Sequence, residues 1–127
     1  MSGLEILTHT EPGFKPLINF GSWRVACSNG PEQYKNKEVT SLSRHMETDE
    51  VFVLMKGSNL LLTAGNGKSP GKVTKTWMEP GKLYNVTKGT WHGSIQMPGT
   101  MVLIVENRDT GKENSESKDI KEKISLA

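Results

Sequence analysis

A chain of 127 residues is the size of one ordinary domain, so a single hydrophobic core is expected. Its 16 basic and 14 acidic residues are spread along the sequence and leave a formal charge of +2, with no concentrated basic face for nucleic acid or an anionic membrane surface. The single cysteine, Cys27, excludes an internal disulfide, and no uninterrupted apolar run exceeds the length of Val51 to Met55, far short of a membrane-crossing helix. The opening, MSGLEILTHTEPGF, has neither a basic n-region nor an apolar h-region, so a soluble, unprocessed, cytoplasmic protein is expected.

Glycine and proline recur along the chain and cut its middle into short segments, the punctuation of a sandwich or barrel. In chain order the predicted strands are LINFGSWRVAC, VTSLSRHM, EVFVLMKG, NLLLTAG, KVTKTWME, KLYNVTK, SIQMP and TMVLIVEN. The loop between NLLLTAG and KVTKTW is rich in Gly, Asn and Pro, which predicts a hairpin with an exposed tip. Residues 1–107 are read as the folded body. Residues 108–127 are dominated by charge and are expected to form a polar tail with one short docked helix, anchored by Ile120, Ile124 and Leu126.

The stretch SRHMETDEVFVLMKG, residues 43–57, places a histidine and three acids directly ahead of an apolar strand. Side chains alternate along a strand, so Glu50, Phe52 and Leu54 share one face while Val51, Val53 and Met55 share the other. His45 and Glu50 are an odd number of residues apart and meet in one cavity only if the chain bends within the intervening METD. Farther on, MEPGKLYNVTKGTWHGSIQ sets Gly81, Gly89 and His92 around two turns, with His92, Ser94 and Gln96 on one strand face. Trp91 and Ile95 point the other way and are assigned to packing. Trp23 and Trp77 are read as core or interface residues, His9 as an exposed bystander, and Glu47 and Asp49 as exposed turn carboxylates.

Together these two segments resemble the paired motifs of the cupin superfamily. In the first, His45, four residues, Glu50, six residues and Gly57 match the second half of the family pattern, while Ser43 stands where the family has its first histidine. In the second, Gly81, five residues, Thr87, Lys88, Gly89, two residues, His92, three residues and Gln96 match in spacing, with Thr87 in place of proline and Gln96 in place of asparagine. The resemblance covers roughly residues 40–106. GTWHG is also similar to a stretch of the cupin-like ureidoglycolate lyases.

The resemblance implies an all-β double-stranded β-helix, the cupin jelly roll, in which two antiparallel sheets face each other around an internal site. It makes His45, Glu50 and His92 candidate ligands for a divalent metal ion, Fe, Zn, Mn or Ni, with Ser43 at the usual fourth position. Without a metal, Glu50 beside Phe52 is a candidate general acid or base. Ser43, Gln96 and Tyr84 are candidate substrate contacts, and Arg24 a further anchor if it faces inward. The expected function is a metal-dependent enzyme acting on a small polar metabolite: a sugar, a keto or hydroxy acid, or a ureido compound. The alternative is a metal-free module that binds or senses a small ligand. Cupins of this size are often homodimers, and the doubly apolar Val51–Met55 strand fits such an interface.

Overall fold

The computed structural model describes residues 3–35 and 38–126 and builds them almost entirely from β-structure. Ten strands follow in order: β1 (Gly13–Phe20), β2 (Trp23–Asn29), β3 (Val39–His45), β4 (Glu50–Lys56), β5 (Asn59–Thr63), β6 (Thr74–Trp77), β7 (Leu83–Val86), β8 (His92–Gln96), β9 (Met101–Asn107) and β10 (Ser115–Ile124). They form two five-stranded sheets, β1-β2-β9-β4-β7 and β10-β3-β8-β5-β6, in which the pairings are antiparallel. This is the double-stranded β-helix expected from the sequence. No helix among the described residues is long and apolar enough to cross a membrane.

Two elements differ from the sequence reading. LINFGSWRVAC is not one strand but the two arms of a hairpin, β1 and β2, because Gly21 takes a positive φ of 58° and turns the chain before Trp23. The second difference is the carboxyl-terminal segment, which is neither a loose tail nor a docked α-helix. After a single 3-10 turn at Lys112–Asn114, it runs as β10 along the edge of the second sheet, with Ser115 opposite His45 and Ser117 opposite Ser43. Its charged side chains suit an edge strand, where they face solvent and discourage pairing with other chains. The anchoring role given to Ile124 holds, since it is fully buried against Leu42 and Trp91; Ala127 lies outside the described residues.

Alternation along the strands then makes two cores. Between the sheets, Ala26, Phe52, Leu54, Leu61, Val86, Val102 and Ile104 pack as the barrel interior. On the outer side of the second sheet, Leu42, Leu60, Leu62, Trp91, Ile95 and Ile124 form another cluster, so β5 is buried on both faces. Trp91 is wholly buried, as its assignment to packing requires; its indole N–H donates to Gly67 O at 2.9 Å, and the Arg44 guanidinium lies 4.5 Å above its ring. Trp23 and Trp77 lie at the surface of the single chain rather than in the core, and His9 is buried rather than exposed, with Nε2 against Gly13 O at 2.9 Å.

Gly57, the last residue of the first motif, has a reason to be glycine. It holds φ at 83°, and a Cβ there would sit 2.5 Å from the Thr100 Cα, so a side chain meets both strain and a backbone clash.

Docking of β10 is testable through Ile124. Truncation in Ile124→Ala should cost about 2–5 kcal/mol of unfolding free energy by urea titration. A loss below about 0.5 kcal/mol, the size expected at an unconstrained surface position, would contradict a packed terminal strand.

Candidate metal centre

The barrel interior changes character along its length. Beyond Phe52 and Ile104 the inward positions of β4 and β9 become Glu50 and Glu106, and those of β3 and β8 become His45 and His92. His45 ends β3 and Glu50 opens β4, and these strands lie in different sheets. The bend expected within METD is therefore the crossing between sheets, which brings residues at an odd spacing into one cavity.

Polar contacts fix that crossing. The Asp49 carboxylate accepts from Lys88 N at 2.8 Å and from Asn85 Nδ2 at 3.1 Å, and these bonds hold its pKa below the usual range. Asn107 Nδ2 donates to Glu47 O at 3.1 Å, and Gly89 N donates to His45 O at 2.7 Å. Asp49 is thus an exposed carboxylate, as expected, but one that ties the β3–β4 crossing to the turn before β8.

At the centre, His45 Nε2 and His92 Nε2 lie 3.1 and 3.0 Å from the same atom, Glu50 Oε1. One ligand atom from each residue falls within 4.8 Å of the others. The outer nitrogens are also held: His92 Nδ1 against Thr90 O at 2.9 Å, and His45 Nδ1 against the Ser115 hydroxyl at 2.8 Å. A carbonyl oxygen can only accept, so His92 Nδ1 carries the proton. In the neutral ring Nε2 then presents a lone pair toward a carboxylate oxygen, an arrangement that requires a positive charge between them. A second proton supplies one. So does a metal ion, and imidazoles anchored through the far nitrogen with Nε2 turned inward are the usual form of metal-ligating histidine. The donor set fits a divalent cation.

The electrostatics agree. Burial pushes the Glu50 carboxyl up, but hydrogen bonds from His45 and His92 and their charge outweigh it and bring its pKa down to about 2. Burial pushes His92 down, yet hydrogen bonds to Glu50 and Thr90 leave it above the ordinary imidazole value.

The other predicted residues are placed unevenly. Ser43 lines the cavity beside His45 and Glu50, with its hydroxyl 2.7 Å from that of Ser117. Gln96 and Tyr84 are not among the residues lining it. Gln96 links the two sheets farther along the barrel, its Oε1 accepting from the Ser28 hydroxyl at 3.2 Å and its Nε2 donating to Ser28 O at 3.1 Å. The Tyr84 hydroxyl accepts from Glu79 N at 2.9 Å. Arg24, expected as an anchor if it faced inward, does line the cavity, but paired with Glu106 2.8 Å away; Glu106, and Ser115 reaching in from β10, are the residues that sequence reasoning passed over. An acid at the inward register of an otherwise apolar MVLIVEN was a readable signal for Glu106.

No family model and no curated protein matches the sequence. Solved structures do match its fold. A cupin-2 domain protein from Shewanella frigidimarina is 18% identical, with 80% of this chain and 85% of that chain covered and a TM-score of 0.56. A protein with a double-stranded β-helix domain from Klebsiella pneumoniae is 14% identical over 92% of this chain and 90% of its own, with a TM-score of 0.53. A 3,4-ketoisomerase from Helicobacter canadensis is 12% identical over 73% and 66%, with a TM-score of 0.57. The chain has the cupin fold.

Linkage between the pKa shifts and folding gives a two-sided expectation for the metal-free protein. Glu50 is depressed, so its contribution to stability is present above the ordinary glutamate range and is lost as pH falls from there toward about 2. His92 is raised, so its contribution is complete below the ordinary imidazole value and is lost as pH rises through its folded pKa. In Glu50→Gln the charge holding His92 up is gone while its burial remains. NMR titration should then show the His92 pKa lowered from its wild-type position, with the Thr90 carbonyl and the Glu106 charge still opposing its burial, and an unchanged His92 would refute the coupling.

Proposed function

We propose that this chain is a divalent-metal-dependent enzyme acting on a small polar metabolite bound inside the barrel. The observation that carries the reading is the meeting of two imidazole Nε2 atoms at one buried carboxylate oxygen, with the His92 proton fixed on the opposite nitrogen. Two histidines and one carboxylate suit Fe, Zn, Mn or Ni and leave coordination positions open to substrate. A bound ion of this kind polarises a carbonyl or hydroxyl oxygen, or makes a bound water acidic.

The chain's own residues supply the setting. Thr90 and Ser115 hold the two imidazoles, the crossing loop fixes Glu50 against them, and Phe52 and Ile104 close the inner end of the site to water. The cavity beside them, about 400 Å³, is of the size that holds a small metabolite. A sugar, a keto or hydroxy acid or a ureido compound fits these limits, and a solved neighbour of the same fold carries the name of a ketoisomerase. A cytoplasmic setting belongs to the same reading, supported by a lone buried cysteine.

One observation favours a second reading, a metal-free ligand-binding module. Ser43, at the position of the usual fourth ligand, is already hydrogen-bonded to Ser117, and a protonated His92 satisfies Glu50 without any ion. Elemental analysis of protein purified without chelator separates the two. Near-stoichiometric metal that disappears in His45→Ala and in His92→Ala, with circular dichroism unchanged, is the expected result. Metal-free wild-type protein would move the assignment to the binding module.

A homodimer is part of the proposal. On the outer side of the first sheet, Val25, Val51, Val53, Leu103 and Val105 form a half-buried apolar field, continued by Met55 and Leu83, which are 54% and 74% exposed. A second copy of the same face is self-complementary to it. Light scattering after gel filtration should give twice the chain mass, and Leu83→Glu should shift the population toward the chain mass. A wild-type monomer at high concentration would contradict it.

A further inference from the structure

The orientation of Glu106 is unexplained by the ion pair it forms. Its side chain is 3% exposed and projects inward from β9 toward the cavity that holds Glu50 and His45. Arg24 approaches only one of its oxygens, with Nη2 at 2.8 Å and Nε at 3.2 Å from Oε2. The other, Oε1, is buried and has no hydrogen-bond partner among the described residues. Burial and the neighbouring Glu50 carboxylate push the Glu106 carboxyl above its ordinary value against the pull of Arg24, and a buried carboxyl oxygen left without a geometric donor is costly and rare unless a ligand, water or ion completes it.

The cavity also indicates what kind of donor belongs there. Its wall carries three carboxylates, Glu50, Glu106 and Glu116, against the cationic Arg24 and Lys112. Arg24 cannot clamp an incoming carboxylate, because its two inner nitrogens are taken by Glu106 and its Nη1 reaches the Arg108 carbonyl at 3.5 Å. The same wall carries the hydroxyls of Ser43, Ser115 and Thr110, hydrogen-bonded to Ser117, His45 and Asn107 O respectively and each with further hydrogen-bonding capacity, and the ring of Phe14 gives one apolar side with the Arg24 guanidinium 5.3 Å from its centroid. Such a wall suits a ligand rich in hydroxyl groups and without negative charge.

We propose that Glu106, aligned by Arg24, is the hydroxyl acceptor of the site and that the ligand is an uncharged polyhydroxy compound, a sugar or sugar-like polyol. This rests on the small-metabolite reading above and narrows its substrate class. Glu106 is then a ligand-contacting residue, with Arg24 as its positioning residue.

The informative variant is Glu106→Gln. The amide is nearly isosteric, and its oxygen is drawn to Arg24, so its NH2 group faces the cavity and replaces an acceptor by a donor. Arg24 itself is a poor choice, because its removal leaves a buried carboxylate uncompensated. Saturation-transfer NMR titrations with D-xylose, D-glucose, D-glucuronate and the hydroxyl-free ring tetrahydropyran, each with and without added Mn(II), provide the readout. Wild-type protein should bind the two neutral sugars in preference to glucuronate and tetrahydropyran. Glu106→Gln and Glu106→Ala, with melting curves confirming the fold, should bind them about tenfold more weakly while their Mn(II) content matches that of the wild type. Equal sugar affinity in wild type and folded variants, a preference for glucuronate, or no binding of either sugar would overturn the assignment. Absence of Mn(II) binding by the wild type would count against the metal reading alone, since the sugar titration without metal still decides the role of Glu106.

Discussion

Everything at the polar end of this barrel depends on one oxygen atom. Glu50 Oε1 receives both imidazole Nε2 atoms, and it does so where a carboxylate would otherwise be stranded between two sheets. The three residues come from three strands, two in one sheet and one in the other. A site of this kind is a joint. It is held from behind by Thr90 and Ser115, and from the side by Asp49, which fastens the crossing loop to the turn before His92. The protein therefore commits several ordinary polar residues to keeping two imidazole nitrogens and one acid pointed at a common place.

The rest of the fold serves that joint by being dry. Packing of Phe52, Leu54, Leu61, Val102 and Ile104 fills one end of the interior, so cavity and charge are confined to the other. The second core, on the far side of the sheet that carries both histidines, buries Leu42 and Trp91, each next in sequence to a residue facing the cavity. Rigid packing on one face thus sets the aim of polar groups on the other. β10 completes the arrangement. Its buried Ile124 fastens it, and its serines face His45 and Ser43 across the strand pair.

Much of this was legible in the sequence for a physical reason: spacing survives where identity does not. His45, Glu50, Gly57, Gly89 and His92 could be assigned because their spacing resembles the paired cupin motifs, whereas strand alternation alone would have set His45 and Glu50 on opposite faces. Distance along the barrel was less legible. Gln96 shares an inward strand with His92 but lies four residues on, about 13 Å at the usual strand rise, and bonds Ser28 instead. Tyr84 was likewise assigned by type and engages the backbone of Glu79. Glu106 carried a readable signal, an acid at an inward position of an apolar strand, but its meeting with Arg24 at the cavity emerges only from the pairing of β9 with β2 and β4. The terminal strand was missed because a charged edge strand and a solvated tail have the same composition, and only Ile124 distinguishes them.

The central claim is geometric, and crystals soaked with Mn(II) test it most directly through anomalous scattering. The account predicts one strong peak bounded by Nε2 of His45, Nε2 of His92 and the Glu50 carboxylate, with each imidazole still anchored through Nδ1. A peak bound elsewhere, or density in which either ring has turned its Nε2 away from Glu50 with no ion between them, would contradict it.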